Sequence, residues 1–342
     1  MKLTQLQNRL LKIKSLFEEQ FLKAKAESYV SINLGNYFLK GLVANGEQIS
    51  DYFIEPSKDL EAAIKKVWAE KKITTRRVKI SVKNPACLVR YFSFPKLERK
   101  KLQQALFYEL NKFIPFPPAD VYFDYCILKE LSPQEVFILL AVAKKDFINS
   151  ILEIFKKNNL KISEINLDSI CLVNLFLESY DEARQINSCI LDIGYNFSTM
   201  TIINKNVPFL TRDVKFCISD IYQIIARTKN ISVSEVGNWL ASLNDKKEFQ
   251  DLVQDSISNL CREIKSSFDY FEVSKGEHLD KLYLSGGMVS VRGIENIFSE
   301  ILDIKVEILN VNPKNKESLA KILLDEKFSR IKNNFAVAFG LI

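Results

Sequence analysis

The sequence predicts an α/β protein built as two related lobes, and three observations carry that prediction. A short phrase occurs twice, as Ile32-Asn33-Leu34-Gly35-Asn36-Tyr37-Phe38 and as Leu191-Asp192-Ile193-Gly194-Tyr195-Asn196-Phe197, each time between two apolar runs of β type. A third phrase, Leu282-Tyr283-Leu284-Ser285-Gly286-Gly287, is an apolar strand ending in a glycine pair just before the helix-like segment Met288 to Leu302. With 342 residues, 47% of them hydrophobic and 26% charged, the chain can bury a core large enough for two lobes.

The two hairpins admit two readings. A glycine in such a turn can take a positive φ and leave backbone N–H groups uncovered for an anion, while the preceding carboxylate or carboxamide holds a metal-bound water. The plainer reading is a pair of ordinary glycine turns. The glycine pair of Gly286 and Gly287, at a strand-to-helix junction, allows close backbone approach to a nucleotide beside a helix N-terminus. In order along the chain, the three motifs resemble the series that marks the actin-like, ribonuclease-H-like ATPase superfamily.

From Tyr29 onward the chain resembles the PilM family, cytoplasmic actin-like proteins of type IV pilus assembly. The residues that carry the likeness are Phe94-Pro95-Lys96-Leu97, the helix-like stretch through Tyr108, and the corner Phe113-Ile114-Pro115-Phe116-Pro117-Pro118, followed by Asp120 and Asp124. Prolines stop a helix and bias the chain toward extended backbone, so Phe113 and Phe116 ride on a stiff corner. Arg212-Asp213 and the helix Glu263-Ile264-Lys265-Ser266-Ser267 are further matches, and Ala338-Phe339-Gly340-Leu341 is similar to the family's terminal segment. The resemblance implies a two-lobe actin-like fold with a small inserted subdomain of the FtsA and PilM type.

The elements follow in order. Residues 1–28 read as an extra N-terminal helix, because Leu3, Leu6, Leu10, Ile13, Phe17 and Phe21 recur at helical spacing beside Arg9, Lys12, Lys14, Lys23 and Lys25. It packs on its own lobe or a partner, touches a membrane surface, or frays. Residues 29–90 and 162–186 form the first lobe, with a helix over Ser57 to Lys72 and a strand over Arg77 to Val82, where Val78, Ile80 and Val82 alternate with polar residues. Residues 91–161 are the inserted subdomain: a strand, the helix Leu97 to Phe113, the proline corner, the strand Glu135 to Val142 and the helix Lys145 to Asn158. Asn166 to Glu178 is a linking helix. The second lobe is 187–342, with its hairpin over Ser188 to Leu210 and a mostly helical subdomain at 219–274.

Composition excludes several chemistries. The 48 basic and 42 acidic residues are spread along the chain, which gives a solvated lysine-rich surface and no nucleic-acid stripe. Six cysteines, Cys87, Cys126, Cys171, Cys189, Cys217 and Cys261, show no C-x-x-C spacing and read as buried thiols of a reducing compartment. A single histidine, His278, leaves no histidine metal site and no Ser-His triad. No apolar run has the length of a membrane span, and charges at Lys12, Lys14, Glu18 and Glu19 interrupt any signal-peptide core, so a soluble cytoplasmic protein is expected.

By resemblance, nucleotide contacts fall on Asn33, Gly35, Asn36, Asp192, Gly194, Glu263, Ser266, Gly286 and Gly287, with Asp192 reaching magnesium through water. The chain departs from the family at several of these. Asn33 stands where an aspartate is usual, Asn36, Tyr37 and Phe38 replace small hydroxyl residues, Tyr195 and Asn196 do the same in the second hairpin, Cys217-Ile218 replaces a glycine pair, and Met288 replaces a smaller residue. Asparagine brings no charge to a metal, so ATP and Mg2+ are expected to bind weakly or not at all, with negligible hydrolysis and no catalytic residue.

The resemblance then implies a scaffold at the inner face of the inner membrane, in a type IV pilus or type II secretion platform. Its partner would be the cytoplasmic tail of a PilN-like bitopic membrane protein, with pilus motor ATPases as further partners. The tail would lie in a cleft lined by Phe92, Phe94, Phe113 and Phe116, which otherwise read as core aromatics. The alternative is an active nucleotide-switched ATPase of the same family. A sugar-kinase-like enzyme is more remote, because no acidic general base follows the first hairpin. Without a C-terminal amphipathic helix, an FtsA-like division role is not expected.

Overall fold

The computed structural model describes residues 28–342 except 46–47, 243–245, 292, 312–321 and 323–324. The helix expected over residues 1–28 lies outside the described residues but for Ser28, which begins a strand. Two compact units are found. One takes the described residues up to Asn174 together with Val337–Ile342, the other those of Leu175–Lys316 and Ile322–Ala336.

The first unit is built on strands β1 (Ser28–Leu34), β2 (Phe38–Asn45), β3 (Gln48–Pro56), β4 (Arg77–Val82) and β8 (Lys161–Leu167), in the order β3-β2-β1-β4-β8. β1 pairs antiparallel with β2 and parallel with β4, which pairs parallel with β8. β1 lies at the centre, and its Val30, Ser31, Ile32 and Asn33 are all buried, as a strand covered on both faces requires. Helix α1 (Leu60–Glu70) starts where the Asp59 carboxylate accepts from the Ala62 N–H at 3.0 Å, and it buries Ala63, Ile64 and Val67 as one stripe.

Between β4 and β8 the chain makes a smaller sheet from β5 (Cys87–Pro95), β6 (Val121–Ser132) and β7 (Glu135–Lys144), in the order β5-β7-β6, all antiparallel. The helix expected over Leu97 to Phe113 is shorter: α2 spans Arg99–Glu109 and tightens into a 3-10 turn at Leu110–Lys112 before the prolines. β6 has no clear counterpart in the sequence pattern because it is an edge strand whose exposed residues break the alternation. Helix α3 (Lys145–Lys157) buries Ile148, Ile151 and Phe155 and carries Lys156 and Lys157 where the helix dipole favours cations. The linking helix begins later than expected, as α4 (Asp168–Ser179), since Asn166 and Leu167 complete β8.

The second unit repeats the first sheet. Strands β9 (Asn187–Ile193), β10 (Ser198–Asn204), β11 (Val207–Val214), β12 (Lys281–Gly286) and β13 (Lys305–Ile308) lie in the order β11-β10-β9-β12-β13. The hairpin strands are antiparallel and the last two pairs parallel, the same pattern as β3-β2-β1-β4-β8. Among the described residues three helices lie between β11 and β12: α5 (Ile218–Lys229), α6 (Val236–Ser242) and α7 (Lys246–Lys275). Phe249, Val253, Ile257, Leu260, Ile264 and Phe271 of α7 pack in one cluster with Leu191, Ile193 and Leu284 of the sheet. The helix expected from Met288 is broken into a 3-10 turn at Gly287–Ser290 and α8 (Ile294–Leu302), with Gly293 between them at φ +82°. Helices α9 (Glu326–Ile331) and α10 (Ala336–Phe339) follow.

Val337–Ile342 returns to the first unit. Gly340 lies so close to α4 that an added Cβ would fall 1.9 Å from the Cys171 carbonyl oxygen, and Lys79 Nζ donates to the Leu341 carbonyl at 2.9 Å.

Candidate functional site

Asn33 is the penultimate residue of β1 and lies opposite Lys40 on β2 and Ser81 on β4. Asn33 is 5% exposed, and its Nδ2 donates to Asp168 Oδ2 at 2.9 Å and to Ser81 Oγ at 3.1 Å. Only an amide nitrogen can face a carboxylate in this way, so the orientation of the carboxamide follows from its neighbour. Asp168 is the first residue of α4, where the helix dipole favours a negative charge. Asn166 lies in register with Ser81 on the next strand; its Oδ1 accepts from the Leu167 N–H at 2.9 Å, and its buried Nδ2 has no partner. Asn33, Ser81 and Asn166 thus form a polar row across the ends of three parallel strands.

The turn itself is tight. An added Cβ on Gly35 would lie 2.6 Å from the Phe38 carbonyl oxygen, and Ser57 Oγ donates to the Gly35 carbonyl at 2.8 Å. The positive φ expected at the hairpin glycines is not found: among described glycines only Gly276, Gly286 and Gly293 adopt it. Close approach, not a left-handed backbone, is what requires glycine at position 35. Asn36 is exposed, and Tyr37 and Phe38 pack edge to face at 4.7 Å beside it.

The second hairpin repeats the arrangement with an acid. Asp192 is 5% exposed and lies opposite Thr199 on β10 and Ser285 on β12, so Asp192 with Ser285 matches Asn33 with Ser81. Gly286 approaches this pair most closely: at φ +87°, an added Cβ would lie 2.2 Å from the Ile193 carbonyl oxygen and 2.8 Å from Asp192 Oδ1. A Cβ on Gly287 would meet Ile218 Cδ1 at 2.6 Å, and Met288 is buried. The carbonyls of Gly194 and Tyr195 accept from the N–H groups of Ile218 and Ser219, each at 3.0 Å. Asp220 accepts from the Cys217 N–H at 3.2 Å and its thiol at 2.9 Å. The first amides of α5 are therefore engaged by the turn and by the helix's own acid.

Glu263 and Ser266 lie one turn apart on α7, and their side chains take different partners. Arg212 of β11 holds Glu263 at 2.6 Å and Ser267 Oγ at 2.9 Å, whereas the Ser266 hydroxyl is exposed and donates to the Glu263 carbonyl at 2.9 Å. Ser267, not Ser266, is the buried serine of this helix.

Of the four aromatics expected to line the cleft, Phe92 and Phe94 lie on β5 and Phe113 and Phe116 by the proline corner, and each packs at least in part against the smaller sheet. Phe94 is buried with Leu102, Leu106, Val136 and Ile138, and half-buried Phe92 and Phe113 stack at 3.7 Å between centroids. Phe116 is half-buried with Lys144 Nζ 4.7 Å from its ring centroid. Both outer strands of this sheet, β5 and β6, are edges among the described residues.

Chemically, Asp192 brings a carboxylate to its hairpin, whereas the first hairpin brings a neutral carboxamide held by Ser81 and Asp168, which adds no negative charge for a metal ion. Among the described residues no group of three or more His, Cys, Asp or Glu is arranged to hold a metal ion, and no helix is long and apolar enough to cross a membrane. The cysteines form no disulfide; all but half-buried Cys126 are buried, and burial pushes the Cys261 thiol up to about 12.

Residues 27–342 match the family model described as type IV pilus assembly protein PilM. The chain belongs to the PilM family. Its coordinates resemble a PilM-PilN type IV pilus biogenesis complex with a TM-score of 0.79 at 21% identity, over 93% of this chain and 97% of that one. They also resemble the ethanolamine utilization protein EutJ from Carboxydothermus hydrogenoformans, with a TM-score of 0.53 at 10% identity over 98% of each chain. MreB 5 of Spiroplasma citri, solved bound to AMPPNP, matches with a TM-score of 0.50 at 10% identity, over 90% of this chain and 98% of that one. At these identities the likenesses establish the fold, the actin-like α/β fold expected of a PilM-family chain. Sequence reasoning found both hairpins and the glycine pair but missed Ser81, Asn166, Asp168 and Ser267, which complete the polar clusters.

Proposed function

We propose that this chain is a cytoplasmic scaffold of a type IV pilus inner-membrane platform that takes the tail of a PilN-like bitopic membrane protein and binds nucleotide weakly or not at all. The observation that carries the scaffold reading is membership of the PilM family across residues 27–342, supported by the likeness to a PilM-PilN complex. An extended tail adds to an open strand edge with alternate side chains in apolar pockets, and the smaller sheet offers two such edges, β5 and β6, with Phe116 half-exposed beside it. A type II secretion platform, and contacts with pilus motor ATPases, belong to the same scaffold reading. The weak-nucleotide part is supported by Asn33, whose amide serves Ser81 and Asp168.

A nucleotide-switched reading is favoured by one observation, the retained carboxylate of Asp192 beneath Gly286. Titrating the protein and its Asp192→Ala variant with magnesium and ATP while following thermal unfolding separates the two, because a ligand of the folded state raises apparent stability with the logarithm of saturation. No shift at millimolar ATP is the expected result, and a shift abolished by Asp192→Ala favours the switch. Calorimetric titration with a synthetic PilN-like tail tests the scaffold itself: absence of binding at high micromolar peptide overturns it.

A further inference from the structure

Helix α2 breaks local rules at its start. Its first turn holds Arg99, Lys100 and Lys101 and no acid, at the helix end where the dipole disfavours cations, and Glu98 at the N-cap makes no side-chain capping bond. Leu102 and Leu106 face inward, while Phe107 and Tyr108 are turned to solvent, 45% and 80% exposed. Phe107 is held in place, its ring 6.3 Å from that of Phe123 and 6.0 Å from that of Tyr108. Part of the charge is met within the protein, where Glu98 pairs with Lys101 at 3.5 Å, Glu109 with Lys112, and Asp124 and Tyr125 of β6 interact with Arg99; the stretch from Lys100 to Tyr108 itself contains no carboxylate, so the helix keeps a net positive outer face. Departures of this kind from local preference concentrate at functional sites.

From these observations we propose that the outer face of α2 docks on an anionic lipid surface. Two exposed aromatic rings stand on the helix about two turns beyond Lys100 and Lys101, with the neutral amides Gln103 and Gln104 between. Such a face suits a planar interface, where the rings enter the headgroup boundary and the cations lie among lipid phosphates. The charge complementarity is what selects lipid phosphate over a neutral apolar partner. The inference does not depend on nucleotide binding or on the tail of a membrane partner, and it supplies a second contact with the membrane.

The test is flotation of the full-length protein with vesicles of phosphatidylcholine containing about a third phosphatidylglycerol, beside pure phosphatidylcholine. Binding to the anionic vesicles at 0.1 M salt, lost at 1 M, is the expected result. Lys100→Glu with Lys101→Glu should lower partitioning roughly tenfold or more, and Tyr108→Ser severalfold, both with unchanged thermal unfolding. Every variant keeps the same residues 1–27, so a difference reports α2. Equal flotation of the variants and the parent overturns the proposal, as does no binding to anionic vesicles. Loss of tail binding in these variants with flotation unchanged also overturns it, and makes the face a protein-docking surface.

Discussion

Asn33 and Asp168, 135 residues apart in the chain, are joined by a 2.9 Å hydrogen bond from Nδ2 to Oδ2, both side chains buried at the ends of parallel strands. The bond makes asparagine the residue this environment selects at position 33. An aspartate there would set two carboxylates against each other where a donor now faces an acceptor, and would keep the contact with Ser81 only if that hydroxyl turned from accepting to donating.

Asn33→Asp is therefore expected to destabilise the first unit by about 1–3 kcal/mol at neutral pH. Two carboxylates at that distance cannot both stay ionised, so the folded variant takes up a proton that the unfolded chain does not hold. A group with a raised folded pKa is penalised as pH rises above its unfolded value, so the deficit should shrink toward pH 4 and grow toward pH 7. Urea unfolding of parent and variant at several pH values checks this; a deficit independent of pH would mean the two side chains do not meet.

Gly286 and Gly276 both adopt positive φ, but only the first is crowded. Gly276→Ala meets nothing within 4 Å and should cost only the left-handed backbone penalty, about 1–2 kcal/mol. Gly286→Ala would push a methyl into the Ile193 carbonyl and the Asp192 carboxylate, and should cost more than about 3 kcal/mol or prevent folding. Denaturant midpoints of the two variants rank them, and equal midpoints would contradict the close approach of β12 to β9.

Lys281 begins β12 with its side chain 7% exposed, between Glu182 and Glu307, each at 2.8 Å. The bond from Lys281, then that from the Tyr283 hydroxyl at 2.6 Å, holds the Glu182 carboxyl below the usual carboxylate range. A carboxylate with a depressed pKa adds stability above its unfolded value, about 4.3, and loses it as pH falls through the folded one. Lys281→Met should therefore cost about 1–3 kcal/mol at pH 7, tempered by the half-exposed acids. The gap between parent and variant should narrow on acidification below pH 4, measured by thermal unfolding against pH.

Much of the frame was legible because each hairpin is written locally. An apolar strand, a polar residue, a glycine and a second apolar strand fall within one short phrase, and both copies fold as β1-β2 and β9-β10. Residues that complete the clusters were not legible. Ser81 and Asp168 reach Asn33 from separate crossovers, 48 and 135 residues away, and nothing in their own neighbourhoods marks them as buried. Glu263 and Ser266 lie in one motif of the sequence, but a helix presents adjacent serines 100° apart, so the bond from Arg212 to Ser267 could not be read from it. That Phe92 and Phe113 stack on each other was not legible either, because their contact is a long-range fact. Strand β6 was hidden by its edge position, where polar outward residues blur the period of two.

The return of Val337–Ile342 to the first unit ties the order of synthesis to the order of folding. Residues up to Asn174 emerge from the ribosome first, but the contact of Gly340 with the Cys171 backbone on α4 cannot form until the second unit has been made. A nascent chain therefore waits with its earlier half unfinished. Truncations that remove these six residues should injure the half of the molecule most distant from them in sequence.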